Sequence, residues 1–212
     1  MAVTPDDAFT ALEVIGTAAF AVAGGAVAVR AGMDWLGVVV LAVVTAVGGG
    51  TLRDILLGRF PVWWIQHSWP LAVAGGVAGV VILVGHRIPH VSLDSQRSYL
   101  VADAAGLAAF TASGTLVSLD AGVSPWIAVV MGVVTGAGGG VIRDVLARER
   151  PLILVGQIYA MAAFAGATAI VVLHELDAPL LATRWAGAVL VFAIRLAAIK
   201  WRWQLPRFDP AD

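Results

Sequence analysis

Long apolar runs separated by short polar connections organise this chain. Crossing a hydrocarbon core of about 30 Å takes roughly 20 helical residues. Seven segments approach or reach that length: 12–29, 36–57, 71–84 (extendable back to Trp69), 100–119, 125–146, 152–173 and 181–199. Pro61, Pro70, Pro89, Pro125, Pro151 and Pro179 fall between these spans or in their first turns, where proline is tolerated. The pattern predicts an all-α, polytopic membrane protein with seven transmembrane helices.

Composition agrees with the pattern. The chain is 60% hydrophobic and 13% charged, with a mean hydropathy of +0.91. Soluble domains sit nearer half apolar and a quarter charged. A net charge of −1 suggests no nucleic-acid partner. With no cysteine, disulfides, thiolate metal sites and cysteine nucleophiles are excluded. His67, His86, His90 and His174 lie near span ends without ligand spacing, so no metal site is expected. The acidic start, Met1 to Asp7, lacks the basic region of a signal peptide, and the first span is expected to stay as a membrane helix.

Basic residues set the expected orientation, because connections rich in Arg and Lys stay in the cytoplasm. Arg30, Arg87, Arg97, Arg148, Arg150, Lys200, Arg202 and Arg207 fall on one side, and only Arg59 and Arg184 on the other. The N-terminus is therefore expected outside and the C-terminus inside. Trp63, Trp64 and Trp69 are expected to form an outer interfacial belt, and Trp201 and Trp203 an inner one. Arg195, Lys200 and Arg202 are expected to join the inner anchor by snorkelling.

The spans repeat. At an offset of 90 residues the chain is identical at Gly16/Gly106, Phe20/Phe110, Gly24/Gly114, Thr45/Thr135, Arg53/Arg143, Asp54/Asp144 and Pro61/Pro151, and Glu13 aligns with Asp103. The triplet Gly48–Gly50 aligns with Gly138–Gly140. The units are 10–86 and 99–174, three spans each, with a seventh helix at 181–200 that has no counterpart. Because three is odd, the second unit enters the membrane from the opposite face, which makes an inverted repeat.

The candidate chemistry sits at the repeated motif. Each triplet, Gly48, Gly49, Gly50 and Gly138, Gly139, Gly140, is expected to kink or unwind its helix and expose carbonyls along a pore, in preference to acting only as a close-packing contact. Adjacent residues on a helix do not face one another, so Arg53 and Asp54, like Arg143 and Asp144, are expected to need other partners. Depth suggests two symmetry-related pairs, Glu13–Arg53 near the outer side and Asp103–Arg143 near the inner side. Asp54 and Asp144 would then attract cations. Thr45, Thr135, Thr111 and Ser113 lie at the depth of the triplets as candidate pore hydroxyls, although each is expected first to bond a preceding carbonyl or a neighbouring helix.

The two three-span units, each with a GGG-x-x-RD-(I/V)-L stretch and a proline about seven residues past the Asp, resemble the prokaryotic relatives of the trimeric intracellular cation (TRIC) channels, also labelled a glycine-transporter domain family. The likeness covers roughly residues 10–199. It implies a homotrimer with a pore inside each protomer, flanked by the second and fifth helices, and conduction of monovalent cations, potassium above all. It implies no cofactor beyond permeating potassium or sodium and a bound lipid, and a prokaryotic plasma membrane. The phosphoinositide-binding lysine of animal members has no counterpart, since no lysine precedes Lys200. A secondary transporter of a small solute such as glycine is the alternative, because inverted repeats with broken helices serve alternating access equally well. An enzyme is not expected. Without a TVGYG-like filter, selectivity should be modest.

Overall fold

The computed structural model describes residues 5–87, 96–155 and 158–203. His90, Pro89, Arg207, Asp209 and Asp212 lie outside these, as do the side chains of His86, Arg87 and Arg97. The described residues form eight α-helices: α1 (Pro5–Arg30), α2 (Trp35–Leu56), α3 (Trp63–Gln66), α4 (Trp69–Arg87), α5 (Gln96–Asp120), α6 (Pro125–Leu146), α7 (Ala160–Glu175) and α8 (Leu180–Trp201). A 3₁₀ turn at Leu152–Leu154 precedes α7. Five helices, α1, α2, α5, α6 and α8, are long and apolar enough to cross a bilayer, and α4 and α7 are shorter apolar helices.

Three sequence boundaries need correction, the first being that α1 begins at Pro5 rather than near 12. The sixth span does not run as one helix from 152, because its helix begins only at Ala160. At 1.5 Å per residue, its 16 residues span about 24 Å. Before it, Leu152–Leu154 form the 3₁₀ turn, whose counterpart in the first unit is α3. The fourth span also starts earlier than expected, at Gln96. Asp103 therefore lies about two turns inside α5 rather than at its opening.

The turns repeat with the spans. After α1, Met33 N–H donates to the Ala28 carbonyl and Gly32 N–H to Val29, with Gly32 at φ 70°. After α5, Val123 donates to Ser118 and Gly122 to Leu119, with Gly122 at φ 75°. This pair of bonds around a left-handed residue is the Schellman closure, which satisfies carbonyls that a helix end leaves open. The same closure follows α2 at Gly58 and α6 at Arg148. The backbone therefore keeps the symmetry even where glycine has been replaced by arginine.

The two units pack through small residues. Phe20 of α1 and Phe110 of α5 stack with ring centroids 5.5 Å apart, and each ring lies over a glycine of the other helix, Gly106 and Gly16. Gly24 gives room for Thr45 between α1 and α2, and Gly114 does the same for Thr135 between α5 and α6. α8 packs on α7, where Gly187 lies against Ile170 and Gly166 against Val191. The outward residues remain apolar, among them Trp35, Leu83 and Val189, as a surface facing hydrocarbon requires. The architecture is the expected one: all-α, two inverted three-helix units and an added helix.

Candidate functional site

α2 and α6 cross at the glycine triplets. Both helices run through the triplets without interruption. The expected unwinding with exposed carbonyls is therefore corrected: all six glycines are buried and serve close approach. A Cβ on Gly49 would run into the Thr135 carbonyl oxygen, and one on Gly139 into the Thr45 carbonyl oxygen. The helices meet backbone to backbone, which only glycine permits. A Cβ on Gly48 would reach the tip of Ile142 at 2.8 Å, and one on Gly138 the tip of Leu52 at 2.8 Å. Gly50 makes room for the Trp63 ring, and Gly140 for the Tyr159 hydroxyl.

A buried charge cluster lies past each triplet. In the first unit, Arg53 Nε donates to Asp54 Oδ1 at 2.8 Å, and both side chains are almost fully buried. The expectation that neighbours on a helix need other partners fails here, because the long arginine side chain folds back onto the adjacent carboxylate. The second oxygen, Asp54 Oδ2, accepts from the Trp63 backbone N–H at 2.8 Å. Asp54 thus ties the end of α2 to the start of α3. Trp63 is buried against Trp69 and Phe110 rather than placed in an interfacial belt. Trp64 is half-buried and donates to Thr51 Oγ1 at 2.9 Å.

Glu13 does not pair directly with Arg53. Ser113 Oγ donates to Glu13 Oε1 at 3.2 Å and accepts from Arg53 Nη1 at 3.5 Å. The proposed ion pair is therefore a relay through a hydroxyl of the other unit.

The second unit is closed more tightly. Arg143 Nη1 donates to Asp103 Oδ1 at 2.6 Å, the expected pair, and Nε donates to Asp144 Oδ1 at 2.8 Å. Asp144 Oδ2 accepts from the Leu152 N–H at 3.0 Å, repeating the role of Asp54. Tyr159 donates its hydroxyl to Asp103 Oδ1 at 3.3 Å. Arg195 lies over the Tyr159 ring at 4.8 Å and donates to the Ile158 carbonyl at 3.1 Å. Arg195 is fully buried, which corrects its assignment to a snorkelling anchor. Trp201 and Trp203 are exposed and stacked, as a belt requires.

The hydroxyls divide. Thr45 donates to the Leu41 carbonyl and Thr135 to the Met131 carbonyl, both at 2.6 Å, as threonines in membrane helices usually do. Thr111 Oγ1, which lies where a Cβ on Gly136 would point, and Thr17 Oγ1 are buried without a hydrogen-bond partner among the described residues. Asp103 Oδ2 shares that condition. Tyr99 sits between Arg30 and Arg143, whose guanidinium carbons lie 4.7 Å and 5.2 Å from its ring centroid. Arg30 in turn pairs with Glu149 at 3.1 Å. Thr17, Tyr99, Tyr159 and the true place of Arg195 escaped sequence reading. The signals available were that the chain has only two tyrosines and that Arg195 falls mid-span.

These features define the class: a polytopic helical membrane protein whose two inverted units cross at glycines, with a buried Arg–Asp cluster at each end. A family model described as Glycine transporter matches residues 10–87 and 100–175. The chain belongs to that family, which includes the prokaryotic TRIC channels. It is 44% identical over 204 residues to the UPF0126 inner membrane protein YadS of Escherichia coli K12, covering 93% of this chain and 94% of that one. It is 40% identical to a UPF0126 membrane protein of Vibrio cholerae, covering 93% and 81%. Among solved structures, the TRIC trimeric intracellular cation channel orthologue from Rhodobacter sphaeroides superposes with a TM-score of 0.85 at 40% identity, over 92% of this chain and 98% of that one. A TRIC cation channel solved to explain conductance gives 0.86 at 32% identity, over 96% and 98%.

Proposed function

We propose that this chain is a monovalent cation channel of a prokaryotic inner membrane, N-terminus outside and C-terminus inside. It assembles as a homotrimer with a pathway inside each protomer, between the two inverted units. The observation that carries this reading is the likeness to solved cation channels across nearly the whole chain. The balance of charge inside the bundle supports the sign of the ion, since each cluster sets two carboxylates against one arginine. Glu13 and Asp54 lie toward one end of the bundle, and Asp103 and Asp144 toward the other. Charged groups within a membrane span are costly and mark ion paths. Thr17, Thr111 and the second oxygen of Asp103 add hard oxygen atoms with unused capacity along the same interior. In the conformation described, the Gly49–Gly139 contact closes the crossing of α2 and α6, so opening separates these helices. The glycines then act as the contact that parts rather than as a permanent break. Potassium passes in preference to sodium by a modest factor, since the chain has no TVGYG-like filter.

Single-channel recording of the purified protein in a planar bilayer under a potassium gradient tests the proposal. Discrete current steps that reverse near the potassium equilibrium potential are expected. Electrical silence together with saturable glycine uptake into proteoliposomes would overturn it in favour of a solute carrier.

A further inference from the structure

The groove between α1, α5 and α8 carries features that conduction does not use. At the end where α1 and α8 begin and α5 finishes, a cavity of about 620 Å³ is lined by Phe9, Leu57, Arg59, Asp120 and Arg184, among others. Arg59 and Arg184 are the two basic residues that the sequence assigns to this side of the membrane, and both face the same space. Arg184 is nearly buried and packs over the Phe9 ring at 5.4 Å, which holds its guanidinium at the head of the groove. Asp120 adds one carboxylate to the same rim.

A second cavity of about 270 Å³ lies between the same three helices, farther into the span. Its walls include Leu12, Ile15, Ala108, Ala188 and Phe192, and they are almost wholly apolar. Phe9 and Leu12 are one turn apart on α1, and Arg184 and Ala188 one turn apart on α8. From Arg184 to Phe192 the groove runs about 12 Å at 1.5 Å per residue. That is most of one leaflet's half of a 30 Å core. Alanines at 105, 108, 109 and 188 give it width.

A polar head with two cations and one anion, lying in line with an apolar trough one leaflet deep between the same helices, has the shape and charge of one particular ligand. We propose that this groove binds a phospholipid carrying a primary ammonium, phosphatidylethanolamine. Its phosphate lies on Arg59 and Arg184, its ammonium on Asp120, and an acyl chain in the trough beside Ala108 and Ala188. Charge-assisted hydrogen bonds from guanidinium to phosphate give the anchor its strength. The carboxylate gives the selectivity, because a phosphatidylglycerol headgroup has no cation to offer it.

The test is independent of any conductance. The full-length protein, purified in detergent and stripped of lipid, is titrated with dioleoyl phosphatidylethanolamine and with dioleoyl phosphatidylglycerol, and bound lipid is counted by native mass spectrometry. One phosphatidylethanolamine per protomer is expected, at a concentration at least threefold lower than phosphatidylglycerol needs. Arg59→Gln and Asp120→Asn alter exposed side chains, and unchanged melting temperatures verify that both variants fold. Arg59→Gln should weaken phosphatidylethanolamine binding at least fivefold, and Asp120→Asn should erase the preference between the two lipids. Equal binding of both lipids to the wild type, or binding untouched by either substitution, overturns the proposal. Ala188→Trp should fill the trough and expel the lipid. If it instead dissociates the oligomer while lipid binding persists, the groove belongs to a second copy of the chain and the lipid assignment is wrong.

Discussion

Replacing Gly49 or Gly139 by alanine separates two accounts of the glycine triplets. In an open helix the change is favourable by about 1 kcal/mol, because glycine is the poorer helix former. If the triplets were breaks in α2 and α6, alanine would restore the helix and raise stability. The structure predicts the opposite. The new methyl group meets a carbonyl oxygen, Thr135 for Gly49→Ala and Thr45 for Gly139→Ala, and a backbone atom has no rotamer through which to yield. Overpacking of a tight core costs about 1–3 kcal/mol, and a backbone collision belongs at or beyond the upper end. Against the gain in propensity, each variant should be about 2 kcal/mol less stable. For a chain of this length, 1 kcal/mol moves the melting temperature by roughly 2–4 °C, so a fall of about 4–8 °C is expected.

The same structure supplies the comparison. Gly76 and Gly79 have open space where a Cβ would stand, so Gly76→Ala and Gly79→Ala should melt at or slightly above the wild type. A Cβ on Gly48 or Gly138 would come nearest the flexible ends of Ile142 and Leu52, with the facing glycine Cα atoms farther off at 3.6 Å and 3.3 Å, and their alanine variants should fall between. Tryptophan-fluorescence melting in detergent micelles reads the whole series. If Gly49→Ala and Gly139→Ala melt level with Gly79→Ala, the helices do not meet at these carbonyls and the packing argument is refuted.

The two charge clusters should respond unequally. Asp103→Asn leaves a fully buried arginine with one fewer carboxylate, and about 3–5 kcal/mol of stability should be lost. Glu13→Gln should cost under about 1 kcal/mol, since Glu13 is partly exposed and reaches Arg53 only through Ser113; equal losses in the two variants would show that the clusters are equivalent after all. Arg195→Leu should lower stability by about 1–3 kcal/mol through the lost bond to the Ile158 carbonyl and the lost contact with Tyr159, whereas Lys200→Leu on the exposed face should be near neutral, and chemical denaturation of the two side by side checks the contrast.

Span count, the inverted repeat and the positions of the charge clusters were legible in the chain because each depends on a periodic, local or self-similar property. A hydrocarbon core demands long apolar runs whatever the helices pack against. An odd number of spans per unit inverts the second copy by geometry alone. Asp103–Arg143 was legible for the same reason: depth in the membrane follows from position along a helix.

What tertiary structure alone decided were relations between helices at fixed depth. Glycine triplets are compatible with a bend or with a close crossing, and only the approach of Thr135 to Gly49 and of Thr45 to Gly139 selects the crossing. The fold-back of Arg53 onto Asp54 depends on a rotamer, which helical spacing does not specify. Ser113 joins Glu13 to Arg53 because its hydroxyl on α5 faces both, a matter of azimuth that a one-dimensional pattern does not carry. Arg195 reads as a surface anchor until α8 is rotated onto α5 and α7 and its guanidinium meets Tyr159. The sequence determined which helix carries each group and in what order along it; the packing decided which way it points, and in a bundle of closely spaced helices direction decides the partner.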